Sequence, residues 1–318
     1  MAMEGPPLID RRMAFVLGKG GVGKTAVAAA LALGLADAGH RTLLVEVGAE
    51  TRTEALFGTA PALDEPVEVR PGLFALTVDA ELATQEYLSI QLRVKPLVEM
   101  MARSRAFHQV TQAAPGLAEL VTLGKIWDLA TTVRDGAPVW DRLVVDSPAT
   151  GHGIALLEAA GNARDLAGSG PIRDQAEAIE KVVRHPSATG IAVVAMPEDL
   201  AVTEAIEAVE LLRARDMPVA CAIANAVRRS AFSPADAQAL RAVLAHSAAG
   251  DAERAAAAAA IAVTDGAHHD EREVEGLGRE SGLPVAVLPH VPDLAPGSGG
   301  LEALSAALMR DPAVRGAG

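Results

Sequence analysis

A single cysteine stands in 318 residues, and aromatic side chains make up only 3% of the chain. One thiol excludes an internal disulfide and a cysteine-rich metal site. Cys221 lies in the apolar run VACAIA, which points to a buried, unreactive group. No apolar run is long enough to cross a bilayer. The opening MAMEGPPLIDRR lacks the apolar stretch and cleavage-like site of a secretory leader, and reads as a flexible tail over 1–11. Positive charge is also scarce: 28 Lys and Arg against 41 Asp and Glu leave a net charge of -13. Such a surface repels phosphate backbones, which argues against nucleic-acid partners. These absences lead to the expectation of a cytoplasmic protein without an integral membrane segment. Any phosphate site must then be local and built from backbone amides.

What is present is a rhythm. Short β-branched runs alternate with alanine- and leucine-rich stretches, which predicts an α/β fold with a mostly parallel central sheet flanked by helices. Strands are expected at Met13–Leu17, Thr42–Val47, Leu73–Val78, Arg142–Asp146, Ile191–Ala195, Val219–Ala224 and Val285–Leu288. Helices are expected at Lys24–Ala38, Leu200–Arg215, Pro234–Ser247 and Leu301–Met309, and the acidic, alanine-rich segment around 250–281 reads as helical or partly mobile. Between about 80 and 133 no strand is evident, and two helical stretches read as an insertion. No linker divides the chain, so 12–318 is expected to form one domain.

The stretch FVLGKGGVGKTAVAAA carries two fingerprints. Gly18, Gly20 and Gly23 spell the dinucleotide pattern G-x-G-x-x-G, and Glu46 ends the second strand where a ribose-binding carboxylate would sit. That reading makes the chain an NAD-dependent oxidoreductase. Gly18, Gly23, Lys24 and Thr25 spell the phosphate-loop pattern G-x-x-x-x-G-K-T. It explains more residues. Amides from Gly18 through Gly20, Gly21, Val22, Gly23 and on to Ala26 can face phosphate oxygens, and the helix N-terminus adds a positive end. Lys24 reaches the β- and γ-phosphates of ATP, and Thr25 gives its hydroxyl to Mg²⁺. Asp146 ends a buried strand, where a carboxylate can hold the same ion through water.

With Lys19 included, the loop resembles the deviant phosphate loops of the MinD, ParA and ArsA ATPases. The following DSPATGHG resembles the second switch loop of the ArsA and tail-anchored-protein-targeting family, matching at Asp146, Thr150, Gly151 and His152. The resemblance spans roughly residues 12 to 310. It implies a P-loop ATPase working as a homodimer or paired ATPase, switching an unidentified client or effector with Mg-ATP. It also implies that Lys19 reaches the partner's nucleotide, and that Asn225 and Pro289 lie on the adenine side. The family's helical region forms an apolar groove, for which Leu97, Met100, Met101, Leu120 and Leu123 are candidates; an ordinary core is the other reading. MinD fits less well because the C-terminus lacks a basic amphipathic helix. ParA fits less well because of the acidic charge.

The chain departs from the family at its first switch. Gly48 stands where the family has an aspartate that positions water, with Glu46 and Glu50 two positions away. This predicts ATP binding with slow hydrolysis, or a regulator that binds without turnover. A single cysteine also rules out the family's zinc clamp and its thiolate-based arsenite activation. His268 and His269 read as part of a solvated acidic helix.

Overall fold

β1 (Met13–Gly18) is buried along its whole length. Met13, Phe15 and Leu17 belong to the core on one face, and Ala14 and Val16 to the core on the other, as the two-residue period of a strand requires. Such a strand needs cover on both sides, and a parallel sheet between helical layers supplies it. The computed structural model describes residues 5–48, 52–63, 65–92, 116–230, 232–245 and 250–316, the side chains of 87–92 and 234 excepted.

The remaining strands are β2 (Thr42–Val47), β3 (Ala62–Leu63), β4 (Val67–Arg70), β5 (Leu73–Val78), β6 (Val133–Arg134), β7 (Ala137–Pro138), β8 (Arg142–Asp146), β9 (Thr189–Ala195), β10 (Val219–Val227) and β11 (Val285–Pro289). Nine of the strands form one sheet in the order β11-β10-β9-β1-β8-β2-β5-β3, with β4 also on β5. Every pairing in it is parallel except β4 with β5. The fold is therefore the mostly parallel α/β sheet expected. β6 and β7 form a separate hairpin turning at Asp135 and Gly136, both with positive φ.

The helices are α1 (Lys24–Asp37), α2 (Glu54–Phe57), α3 (Ala80–Leu92), α4 (Leu117–Thr131), α5 (Thr150–Leu166), α6 (Pro171–Val183), α7 (Asp199–Arg213), α8 (Pro234–Ala245), α9 (Asp251–Ser281), α10 (Gly300–Arg310) and α11 (Pro312–Arg315). On one face α1, α10 and α11 pack on Val16, Leu44, Val144 and Val194. On the other, α4, α5, α6 and α7 pack on Phe15, Val45, Val145 and Val193. α1 is alanine-rich and buried on nearly every side, so small side chains let it fit between the sheet and α10. The helical insertion is described at its two ends, α3 and α4; residues 93–115, with Leu97, Met100 and Met101, lie outside the described part.

The segment expected as a tail over 1–11 is packed in its second half. Leu8–Asp10 form a 3-10 turn, and Leu8 and Arg11 are buried. Arg11 Nη1 donates to Thr189 O at 2.9 Å and Pro218 O at 3.4 Å, and its Nε donates to Pro6 O at 2.8 Å. The guanidinium thus ties the starts of β9 and β10 together. Nearby Cys221 is fully enclosed, and burial pushes its thiol up to about 12, which keeps it unreactive.

Candidate phosphate-binding site

β1 lies between β8 and β9, and the chain crosses to opposite sides of it to reach β2 and β9. A reversal of this kind opens a crevice at the carboxyl ends of the strands. The loop of Lys19, Gly20, Gly21, Val22 and Gly23 occupies that crevice between β1 and α1. Gly23 is the N-cap of α1 with φ 85 and ψ 26. A Cβ there would stand 2.3 Å from Nδ2 of Asn225, so only glycine fits.

Asn225 is held in place by a distortion of β10. The register with β11 shifts between Ala224 and Val227, and Ala226 adopts φ 59. A bulge re-aims a side chain, and this one turns Asn225 Nδ2 toward Val22 O, to which it donates at 2.9 Å. The family resemblance implies a place for Asn225 on the adenine side; its amide nitrogen here braces the loop. Pro289 ends β11 and pairs with Val227 on the same rim.

Lys24 opens α1, and its Nζ donates across the loop to Lys19 O at 2.9 Å. Burial draws its ammonium below the usual range, against the pull of neighbouring Asp146. At the next residue, Thr25 Oγ1 donates to Asp146 Oδ2 at 2.6 Å. Asp146 is 7% exposed, and burial lifts its carboxyl to about 6, opposed by the Thr25 hydrogen bond and helped by Glu46. Its second oxygen, Oδ1, is buried without a hydrogen-bond partner, and so is Oγ of the adjacent Ser147. Hard oxygen donors left unsatisfied beside a helix N-terminus fit a small divalent cation such as Mg²⁺, with Thr25 and Asp146 as its holders. Ser147 does not stand out in the sequence, because a serine between a strand and a proline reads as a turn residue.

Glu46 behaves differently. It is 3% exposed, and its Oε1 accepts the backbone amides of Arg52 at 2.9 Å and Thr53 at 3.0 Å. Its Oε2 accepts the Thr53 hydroxyl at 2.7 Å. Thr53 is wholly buried under this clamp and leads into α2. A carboxylate committed to three donors leaves the NAD reading without its ribose acceptor. Between clamp and strand, Gly48 has φ 136 with open space where a Cβ would stand.

Lys19 Nζ forms an ion pair with Glu204 Oε1 at 2.7 Å, both side chains half-exposed. The structure thus holds Lys19 against α7 of its own chain. Thr150, Gly151 and His152, expected in a loop, form the first turn of α5, with His152 exposed. In the insertion, Leu123 is core and Leu120 is half-buried beside Ala83, Trp127, Ile172 and Ile179 around a recess. His269 lies 3.8 Å from Asp199 on the surface, while the neighbouring Asp270 is buried and receives Arg228.

The parallel sheet, the glycine loop, Lys24 and the Thr25–Asp146 pair define a nucleotide-binding P-loop protein. Residues 11–168 match the family described as anion-transporting ATPase. ATPase BagA of Mycobacterium tuberculosis is 36% identical over 220 residues, covering 67% of this chain and 64% of that protein. The arsenical pump-driving ATPase of Escherichia coli is 28% identical over 154 residues, 46% of this chain and 25% of that protein. The corresponding protein of Acidiphilium multivorum is 29% identical with the same coverage. Over residues 11–168, just under half of its length, the chain carries a domain of the ArsA-like ATPase family. It spans just under two thirds of the length of the mycobacterial relative. No helix among the described residues is long and apolar enough to cross a membrane.

Proposed function

We propose that this protein binds ATP with Mg²⁺ and hydrolyses it slowly, acting as a nucleotide-driven dimeric switch for a client in the cytoplasm. The observation that carries the reading is the Thr25–Asp146 contact at 2.6 Å with Asp146 Oδ1 left unpartnered. Amides from Gly18 to Ala26 and the start of α1 cradle the phosphates. Lys24, desolvated and close to Asp146, exchanges its contact with Lys19 O for the β- and γ-phosphates. Thr25 and Asp146 hold Mg²⁺, which when bound neutralises charge shared between the β- and γ-phosphate oxygens. Asn225 keeps the loop in shape, and Asn225 and Pro289 flank the adenine. For Lys19 to serve a partner's nucleotide, it leaves Glu204.

The slow rate is inferred from Gly48 and from Glu46. Neither offers a carboxylate to an attacking water, the first lacking one and the second having its oxygens taken; Glu50, the other carboxylate near Gly48, lies outside the described residues. Loss of such a group costs on the order of 10²–10⁴ in rate. The same observation supports a second reading, a regulator that binds ATP and dimerises without turnover.

Calorimetry with MgATP, with and without the metal, tests binding in wild type and Lys24→Ala. Multiple-turnover phosphate release and sedimentation with ATP then separate the two readings. The expected result is Mg-dependent ATP binding lost in Lys24→Ala, no binding of NAD, and slow turnover. ATP binding that is absent, or unchanged by Lys24→Ala, overturns the proposal. Dimerisation without phosphate release favours the regulator.

A further inference from the structure

Arg52 stands at a position for which the P-loop pattern predicts no cation. Its backbone is fixed: Glu46 Oε1 accepts the Arg52 amide at 2.9 Å, and the same carboxylate holds Thr53 by amide and hydroxyl. Glu46 in turn is in register with Asp146 on the neighbouring strand, and Asp146 is 2.6 Å from Thr25 of the phosphate loop. The chain of contacts from Thr25 to Arg52 therefore runs through two adjacent, buried strand ends. Arg52 itself is exposed on the side of this row that faces solvent. Its charge is felt at both Asp146 and Lys24, favouring the ionised carboxylate and opposing the ammonium.

From this geometry we infer that Arg52 reads the γ-phosphate, and that Glu46 is the residue that positions it. The inference rests on the ATP-binding reading above and deepens it. A guanidinium suits this role because it is planar, permanently charged and able to pair two phosphate oxygens at once. Glu46 and Asp146 lie side by side as buried carboxylates, with Lys24 in the field of Asp146, and a triphosphate brings more negative charge to this row than a diphosphate does. A second cation above the row offsets the charge that distinguishes ATP from ADP. Gly48 stands in place of the family's water-positioning aspartate, and on this reading Arg52 senses the third phosphate by charge.

The test uses the full-length protein and calorimetric Kd values for the Mg complexes of ADP and of an imido-bridged ATP analogue that resists hydrolysis. Wild type is expected to prefer the triphosphate. Arg52→Ala is expected to weaken triphosphate binding roughly ten- to hundred-fold, the range for a lost hydrogen bond to a charged group, and to move ADP by less than about two-fold. Arg52→Lys retains part of the preference. Glu46→Gln, with Arg52 intact, reduces the triphosphate-to-diphosphate ratio as well; a merely structural role would shift both nucleotides together. The melting temperature of each variant, read on the same samples, separates a loss of folding from a loss of binding. A preference unchanged in Arg52→Ala, an equal loss for both nucleotides, or no preference in wild type overturns the inference. If wild type binds neither nucleotide, the ATP-binding reading itself fails.

Discussion

Glu46 and Asp146 are partners in register on adjacent parallel strands, two buried carboxylates side by side with opposite obligations. Glu46 spends its oxygens on Arg52 and Thr53, within six or seven residues of itself. Asp146 gives one oxygen to Thr25, 121 residues away, and keeps the other unpartnered. One carboxylate shapes the fold locally; the other is left open to whatever chemistry arrives.

Asp146 makes stability depend on pH. Its folded value of about 6 lies above its ordinary 3.8, so between these values the folded chain binds more protons than the unfolded one. Stability therefore falls as pH rises through that window, and the cost is complete above it. Asp146→Asn removes the buried charge while keeping an acceptor for Thr25. In urea titrations at pH 8 without metal, the variant is expected to gain on the order of 2–3 kcal/mol, and to lose Mg-dependent nucleotide binding. At pH 4 the gain should vanish. A variant less stable than wild type at pH 8 contradicts this account.

Gly48 tests the slow-turnover reading, but its backbone complicates the experiment. At φ 136 an L side chain is strained although it has room. Gly48→Ala and Gly48→Asp should each lose about 1–3 kcal/mol of stability. Only the aspartate should raise kcat, by roughly tenfold or more, because it alone restores a carboxylate for water. Equal kcat in wild type and both variants would show that this position does not limit the reaction.

Asn225 offers a choice between bracing the loop and reading the base. Removing its bond to Val22 O in Asn225→Ala loosens the loop, and should weaken nucleotide binding by about 1 kcal/mol. If bracing is its whole role, affinities for ATP and GTP fall by the same factor. A selective loss for ATP, with GTP unchanged, would instead assign it to the adenine.

Arg11 carries a stability prediction remote from the site. Arg11→Ala removes the donor shared by the carbonyls of Thr189 and Pro218, the second of which keeps the Ile191 amide, and leaves a cavity where a side chain 1% exposed had been. The expected loss is about 2–4 kcal/mol in denaturant midpoints, with nucleotide affinity unchanged. Deleting residues 1–11 should do at least as much damage.

Much of the sheet was legible in the residues. β2, β5 and β8 have the bounds that their apolar runs suggest, since strands buried on both faces carry an unbroken hydrophobic signal. The strands missed are those without that signal. β3 is two residues long, and VEVR in β4 is half-exposed at the sheet's edge. The Asp135–Gly136 turn does carry a hairpin signal, overshadowed by the helix before it. At the site, the meeting of Thr25 with Asp146 follows from their places at a helix start and a neighbouring strand end, which the spacing of the motifs reveals. Glu46 could be located but not interpreted. Whether a carboxylate faces solvent or its own loop depends on how residues 52–53 turn back, and no local pattern encodes that. Arg11 was hidden for a related reason: its partners, Thr189 and Pro218, are far along the chain.

α1 is walled in by the sheet, by its own alanines and by α10, so closely that a Cβ on Gly34 would stand 2.3 Å from Met309 Cγ. A helix so enclosed cannot act as a lever. The phosphate loop it anchors is a fixed jaw, and whatever the protein transmits to another molecule must leave by other parts. Two segments lie at the ends of neighbouring strands beside it: Arg52 and Thr53, tied back to β2 through Glu46, and the exposed start of α5 with Gly151 and His152. Both are rooted in the same carboxylate pair. If the proposed switch operates, its output leaves by that one flank of the sheet.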